Sequence, residues 1–307
     1  MKVYLSKINE SWVVDRMREE WYMNNTGISV EEPKKANLVW IISPWLWKKE
    51  SRRILKSKTV VCSIFHLEDK DFLDKNLKEF RKREQYVDCY HVISLKTKKD
   101  LEKITEKKII YIPFWVNGNI WSQIKDKDTL RDKYNIPKES FIVGSFQRDT
   151  EGSDLISPKL IKGPDRFIKI VNEMNSRLEH LTVLLTGKRR QYVISELEKK
   201  KINYVYLEMV DFNTLNELYN TLDLYIVTSR IEGGPQAILE CGITKTPIIS
   251  TDVGIASEIL HKDSIFNMNN FMNAKPNVEF AYKNSIKLNI PAGFNNYIKA
   301  FSSLVVD

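Results

Sequence analysis

The 307-residue sequence has little of what builds metal sites and covalent cross-links: three cysteines, Cys62, Cys89 and Cys241, and four histidines. The cysteines show no paired spacing and sit in apolar surroundings, the setting of reduced core residues in a cytoplasmic protein. Scattered cysteine with so little histidine argues against a structural zinc site. No run of roughly eighteen apolar residues exists, so no segment reads as a membrane-spanning helix. The start of the chain passes directly into a strand-like Val3-Tyr4-Leu5 and lacks the apolar core of a secretory signal. Repeats at solenoid periods are also missing. These absences point to the cytoplasm and to globular domains.

The composition, 42% hydrophobic and 29% charged, suits a globular chain, and 307 residues give room for two domains with their own cores. Charge is unevenly spread. Residues 1–120 hold 24 Lys/Arg against 17 Asp/Glu, a net of +7, whereas residues 121–307 hold 24 against 23, a net of +1. A basic face of this kind suits anionic lipid, an anionic acceptor or nucleic acid, and a plainly solvated lysine-rich surface accounts for it equally well. No nucleic-acid module is recognisable, so no nucleic acid is expected.

The most informative stretch runs from Ser229 to Glu258, centred on Ser229-Arg230-Ile231-Glu232-Gly233-Gly234-Pro235-Gln236-Ala237-Ile238-Leu239-Glu240. The apolar Leu222–Val227 before it reads as a buried parallel strand. A Gly-Gly pair lets backbone approach a ligand, and Pro235 suits a first helical position. The helix that follows aims unpaired N–H groups at the turn, a setting for phosphate. Glu240 falls about five residues into that helix, a rise of roughly 7.5 Å, so Glu232 and Glu240 can meet different parts of one extended ligand.

Glu232 and Glu240, with Gly233-Gly234-Pro235 after the first and Thr246–Ile259 continuing as strand and Asp-Val-Gly loop, resemble the donor motif of the retaining glycosyltransferases of the GT-B fold, family 4 type. The resemblance implies an α/β protein of two doubly wound Rossmann-like domains facing across a cleft. The expected domains are 1–120, binding acceptor, and 121–290, binding nucleotide-sugar, with a last helix in 291–307 packing back on the first. Strands are expected at Lys2–Ser6, 37–42, 58–65 and 87–94, with 109–117 closing the first domain, then at 140–146, 181–187, 204–207 and 222–227, alternating with helices.

Carried onto this sequence, the resemblance assigns Glu232 to the donor sugar and Glu240 to the ribose hydroxyls. Arg148 and Lys162 clamp the diphosphate, with Lys159 the rival for the lysine role, and His66 at the end of a strand faces the transferred sugar. Met209 and Val210 meet the base, and Ser229, Gly233, Gly234 and Pro235 complete the donor turn. Two departures stand out. The turn at 7–11, where Asn9 or Ser11 would cap a helix, has no glycine, and thirteen residues separate Arg148 from Lys162. Asp69-Lys70-Asp71 and Asp126-Lys127-Asp128 mimic a metal-binding Asp-x-Asp and are read as charged surface. Trp45 and Trp47 are read as packing, with stacking on an acceptor sugar as the other role.

The implied activity is retaining, metal-independent transfer from a UDP- or GDP-sugar, with no prosthetic group, to a hydroxyl of a glycan, glycolipid or lipid-linked acceptor. The basic N-terminal domain is the candidate for peripheral contact with anionic membrane on its inner face. Two alternatives share the fold: a catalytically silent sugar-nucleotide-binding scaffold, and a sugar-nucleotide epimerase.

Overall fold

The computed structural model describes residues 1–7 and 13–305, so the glycine-poor turn and its capping candidates Asn9 and Ser11 lie outside the described residues. The chain divides into two compact units, one of residues 1–114 with 291–307 and one of residues 115–290. Among the described residues no helix is long and apolar enough to cross a membrane.

The first unit is built on a parallel sheet in the order β1 (Val3–Leu5), β2 (Leu38–Ile41), β3 (Thr59–Ile64), β4 (Cys89–Val92) and β5 (Lys108–Tyr111). Four helices connect these strands: α1 (Val13–Asn24), α2 (Arg52–Ser57), α3 (Asp74–Glu84) and α4 (Leu95–Leu101). Strands this short hold because nearly every residue of β2, β3 and β4 is buried, as parallel strands covered on both faces require. On one face Trp21 of α1 and Phe301 and Tyr297 of the last helix, Asn295–Ser302, close on Trp40 with ring centroids 5.0–5.4 Å apart. On the other, Phe80 of α3 stacks on Tyr90 at 5.4 Å. Such aromatic pairs add about 0.5–1.5 kcal/mol each beyond the area they bury.

A buried polar chain runs through the first of these faces. Trp40 Nε1 donates to Ser63 Oγ at 2.8 Å, Ser63 Oγ lies 2.8 Å from His91 Nδ1, and His91 Nε2 lies 2.8 Å from the Ile112 carbonyl. Tyr297 of the last helix donates to the carbonyls of Ile112 and Pro113 at 3.2 and 3.1 Å, which pins that helix to the end of β5. Trp47 is buried and stacks on Tyr86, while Trp45 is half exposed with its edge toward Phe65. Asp71 accepts from the Glu68 backbone and so closes its own turn.

The second unit begins with α5 (Lys127–Lys133), capped by Asp126 through the Thr129 amide at 3.1 Å. Its sheet is also parallel: β6 (Phe141–Ser145), β7 (Leu181–Thr186), β8 (Asn203–Leu207), β9 (Leu224–Val227), β10 (Ile248–Thr251) and β11 (Ile265–Phe266). The spatial order β11-β10-β9-β6-β7-β8 runs outward both ways from β6, the reversal that defines a doubly wound sheet. Helices α6 (Pro164–Asn175) and α7 (Gln191–Lys199) bury Phe167, Val171 and Leu197 on one face. Helices α8 (Phe212–Thr221), α9 (Gln236–Thr244), α10 (Ala256–Ile259) and α11 (Val278–Ser285) form the other face, where Tyr219, Ile238 and Cys241 are buried. The gap between β6 and β9, where connections part in opposite directions, is where such sheets take ligands.

Candidate functional site

The loop from β9 into α9 lies at that gap. Pro235 is the residue flanking α9 and Gln236 the first helical one, one position later than the sequence pattern predicts. Pro235 is extended (φ −55°, ψ 117°), so it turns the chain into the helix instead of belonging to its first turn. Pro235 provides no side-chain cap for α9, and the Ile238 amide donates to the Pro235 carbonyl at 3.0 Å.

Glu232 faces two groups from other parts of the unit. Lys162 Nζ is in contact with Glu232 Oε1, and the fully buried Ser229 hydroxyl donates to the same oxygen at 3.0 Å. Lys162 is placed by its backbone: its carbonyl accepts from Gln147 Nε2 at 2.8 Å. Gly163 follows in the left-handed region (φ +66°), and a Cβ there would stand 2.0 Å from the Thr228 carbonyl. Only glycine lets this turn lie against the end of β9. Gly254 does the same from the other side, for at φ +48° its Cβ would meet the Gly233 carbonyl at 2.1 Å. The Glu232-Gly233 backbone is thus held between two neighbouring loops.

Arg230 ties these loops together. Its guanidinium makes a two-pronged pair with Asp165 at 2.8 and 2.6 Å and donates to the Leu160 carbonyl at 2.7 Å. That hydrogen-bonded pairing holds the Asp165 carboxyl below its ordinary range. Ser229 is fastened too, its carbonyl accepting from Thr251 Oγ1 at 2.7 Å.

The long spacing between Arg148 and Lys162 is taken up by a hairpin. The Lys159 amide donates to the Asp149 carbonyl at 2.7 Å, the Glu151 amide to Ser157 at 3.0 Å, and Thr150 bridges Pro158 antiparallel. Asp154 closes the tip, accepting from the Ile156 and Ser157 amides and the Ser157 hydroxyl. The base is anchored by Arg190, which donates to Asp149 Oδ2 at 2.8 Å with both side chains buried. The chain therefore returns to its starting point, and Lys159 comes within electrostatic range of both Arg148 and Lys162.

Glu240, the fifth residue of α9, is buried, and its Oε2 accepts from the Tyr219 hydroxyl at 2.8 Å. Tyr219 packs between Trp121, Phe146 and Tyr225, with centroids 5.0–5.7 Å away. Burial, reinforced by Glu240, pushes its hydroxyl pKa well above the ordinary value, so Tyr219 stays a proton donor to the carboxylate.

Residues 155–282 match the family model of the glycosyl transferases group 1. That match lies wholly within the second unit. An alpha-galactosylglucosyldiacylglycerol synthase of Streptococcus pneumoniae is 25% identical over 167 residues, which is 51% of this chain and 41% of that protein, so the chain spans well under half the length of this curated relative. Among solved structures, Anabaena HepE in complex with UDP and glucose superposes with a TM-score of 0.75 at 11% identity, covering 98% of this chain and 99% of that one. Sucrose-phosphate synthase from Thermosynechococcus elongatus gives 0.67 at 14%, over 97% and 81%. These likenesses establish the GT-B fold for the two parallel α/β units.

The group 1 segment contains Lys159, Lys162, Ser229, Glu232, Gly233, Gly234, Pro235 and Glu240, and the structure brings Arg148 to it from just outside. Gly233 is buried, and Gly234 is half-buried. Met209 and Val210 follow β8, with Met209 exposed and Val210 packed against the core of the α8–α9 face. His66 lies in the first unit, two residues past β3, its Nε2 3.7 Å from Glu68 Oε1. Gln147, Arg230, Asp165, Tyr219 and the Asp149–Arg190 pair were not legible as site residues in the sequence. Only the Arg230 side chain lies inside the recognised motif, and nothing in a linear pattern names its partner.

Proposed function

We propose that the protein is a glycosyltransferase that moves a sugar from a UDP-sugar to an acceptor hydroxyl with retention of anomeric configuration. The observation that carries this reading is the cluster at the start of α9. Within one family-matched segment it sets Glu232 against Lys162, with Arg148 and Lys159 nearby and a buried Glu240 behind. Uridine is favoured over guanosine because UDP and UDP-glucose are the ligands named for Anabaena HepE. The acceptor class favoured is a glycan or lipid-linked glycan, since the pneumococcal relative is named for a glycosylated diacylglycerol.

In this reading the bond between the sugar anomeric carbon and the diphosphate oxygen breaks while a bond to the acceptor oxygen forms on the same face. The acceptor hydroxyl proton passes to the departing diphosphate. Negative charge gathers on that diphosphate and is met by Arg148, Lys162 and the positive end of the α9 dipole, so fixed protein charge does the work a divalent metal does elsewhere. Glu232 holds sugar hydroxyls and stabilises the cationic sugar, Glu240 accepts from ribose hydroxyls, and Met209 and Val210 border the base. His66 orients sugar or acceptor in this scheme.

The test is incubation with UDP-glucose, UDP-galactose and UDP-N-acetylglucosamine, with glycolipid and oligosaccharide acceptors, in the presence of chelator. Proton NMR of the product then reads the anomeric configuration. Transfer with retention and without metal supports the proposal. Conversion of donor to its epimer with no acceptor consumed replaces it with the epimerase reading, and donor binding without turnover replaces it with the scaffold reading.

A further inference from the structure

The hairpin that separates Arg148 from Lys162 does more than take up an insertion. Its returning strand ends at Lys159, and the Lys162 amide donates to the Lys159 carbonyl at 2.8 Å, so both lysines belong to one tight turn. Arg148, Lys159 and Lys162 thus form a three-cation group faced by two carboxylates, Glu232, which is taken by Lys162, and Glu151 on the outgoing arm of the hairpin. Among the described residues, neither Arg148 nor Lys159 has a carboxylate at ion-pair distance. Arg148 directs its Nε to the Thr150 carbonyl at 2.8 Å, which fixes the guanidinium at the hairpin base. The base cannot relax apart, because the Asp149 and Thr150 amides both bond the Arg189 carbonyl and the buried Arg190 holds Asp149.

Like charges gathered on a rigid, half-buried turn repel one another, and an anion relieves that repulsion. Burial first, and then Arg148 and Lys162, lower the Lys159 ammonium pKa against the opposing pull of Glu151 and Glu232. We propose that Lys159 is a third cationic ligand of the donor diphosphate, delivered by the 149–159 hairpin, and that it acts chiefly on the departing nucleoside diphosphate. The inference rests on the function proposed above. Its chemistry is specific, because cleavage of the sugar–phosphate bond develops one more negative charge on the terminal phosphate than the intact sugar nucleotide carries, a charge that the acceptor proton then neutralises and that released UDP regains when it gives this proton up to water. A cation added to a pair that already binds the intact donor therefore favours the leaving group.

The experiment is calorimetric titration of the full chain with UDP, UDP-glucose and uridine, for wild type, Lys159→Met, Lys159→Arg and Arg148→Met. Loss of one charge-assisted contact corresponds to roughly a tenfold or greater loss of affinity. We expect Lys159→Met to weaken UDP by about that factor, UDP-glucose by less and uridine not at all, with Lys159→Arg restoring most of the UDP affinity. The slope of log Kd against log salt should also flatten in Lys159→Met. Unchanged UDP affinity in Lys159→Met while Arg148→Met weakens it would overturn the inference alone. So would an equal loss for uridine, which would make Lys159 a structural residue. Failure of the wild type to bind any uridine nucleotide would instead overturn the function reading, and this inference with it.

Discussion

The Tyr219 hydroxyl donates a 2.8 Å hydrogen bond to Glu240 Oε2, linking the last turn of α8 to the carboxylate assigned to the ribose. Both groups are buried, so the bond stands where water would otherwise have to solvate them. Tyr219→Phe keeps the ring among Trp121, Phe146 and Tyr225 and deletes only the donor. Loss of this bond, about 1 kcal/mol, corresponds to a several-fold weaker Kd for UDP. Turnover at saturating donor should be unchanged, and a fall in turnover with unaltered affinity would show that Glu240 is not a ribose ligand.

Glu232 stands between Lys162 and Ser229. Its charge is assigned to the cationic sugar of the transition state, and its neutralisation frees Lys162 for the diphosphate. Glu232→Gln should therefore lower turnover by about two orders of magnitude or more, with UDP bound as tightly as before or tighter. Steady-state rates and calorimetry on one preparation check both halves.

Gly254 presses on the Glu232-Gly233 backbone from a left-handed conformation. In Gly254→Ala the added Cβ meets the Gly233 carbonyl, so the loop must shift or the residue must bear strain on the order of 1–3 kcal/mol. We expect a lower Tm together with weaker UDP binding. Retention of both at wild-type level would mean that this contact does not position Glu232.

How much of this was legible in the sequence follows from the range of the interactions. The β9–loop–α9 run is local: an apolar strand, a Gly-Gly-Pro turn and a helix follow one another within about twenty residues, and Glu232 and Glu240 stand out by spacing. The hairpin could not be read, because its arms pair Asp149 with Lys159 through backbone groups that any sequence carries. For the same reason the separation of Arg148 from Lys162 looked like a break in the clamp. Helix α11, begun by the Asn277 side chain accepting from the Phe280 amide, lies in an asparagine-rich stretch with no clear apolar period. Its close seating on α9, where a Cβ at Gly242 would meet Ser285 Oγ at 2.0 Å, becomes visible only in three dimensions. The offset at Pro235 is of another kind, since a proline suits both the residue before a helix and its first turn.

His91 gives the first unit a distinct acid response. Trp40 donates to Ser63 Oγ, so the hydroxyl proton is left for His91 Nδ1, and the Nε2 proton goes to the Ile112 carbonyl. The imidazole is therefore neutral, and burial pushes its pKa down from 6.5 to about 4. The unfolded chain takes up this proton first as pH falls, so stability declines between about pH 6.5 and 4, by on the order of 3 kcal/mol at the acid end. Urea unfolding read by tryptophan fluorescence should show this decline in wild type and a shallower one in His91→Gln. Identical pH dependence in the two proteins would remove His91 from the account.

The central claim is that the second unit binds a uridine diphosphate sugar at the start of α9, and calorimetric titration with UDP, GDP and ADP in the presence of chelator tests it most directly. The account predicts saturable binding of UDP by the wild type, GDP and ADP weaker by tenfold or more, and a marked loss of UDP affinity in Glu240→Ala. Binding of none of the three, or UDP affinity unaltered in Glu240→Ala, would contradict it.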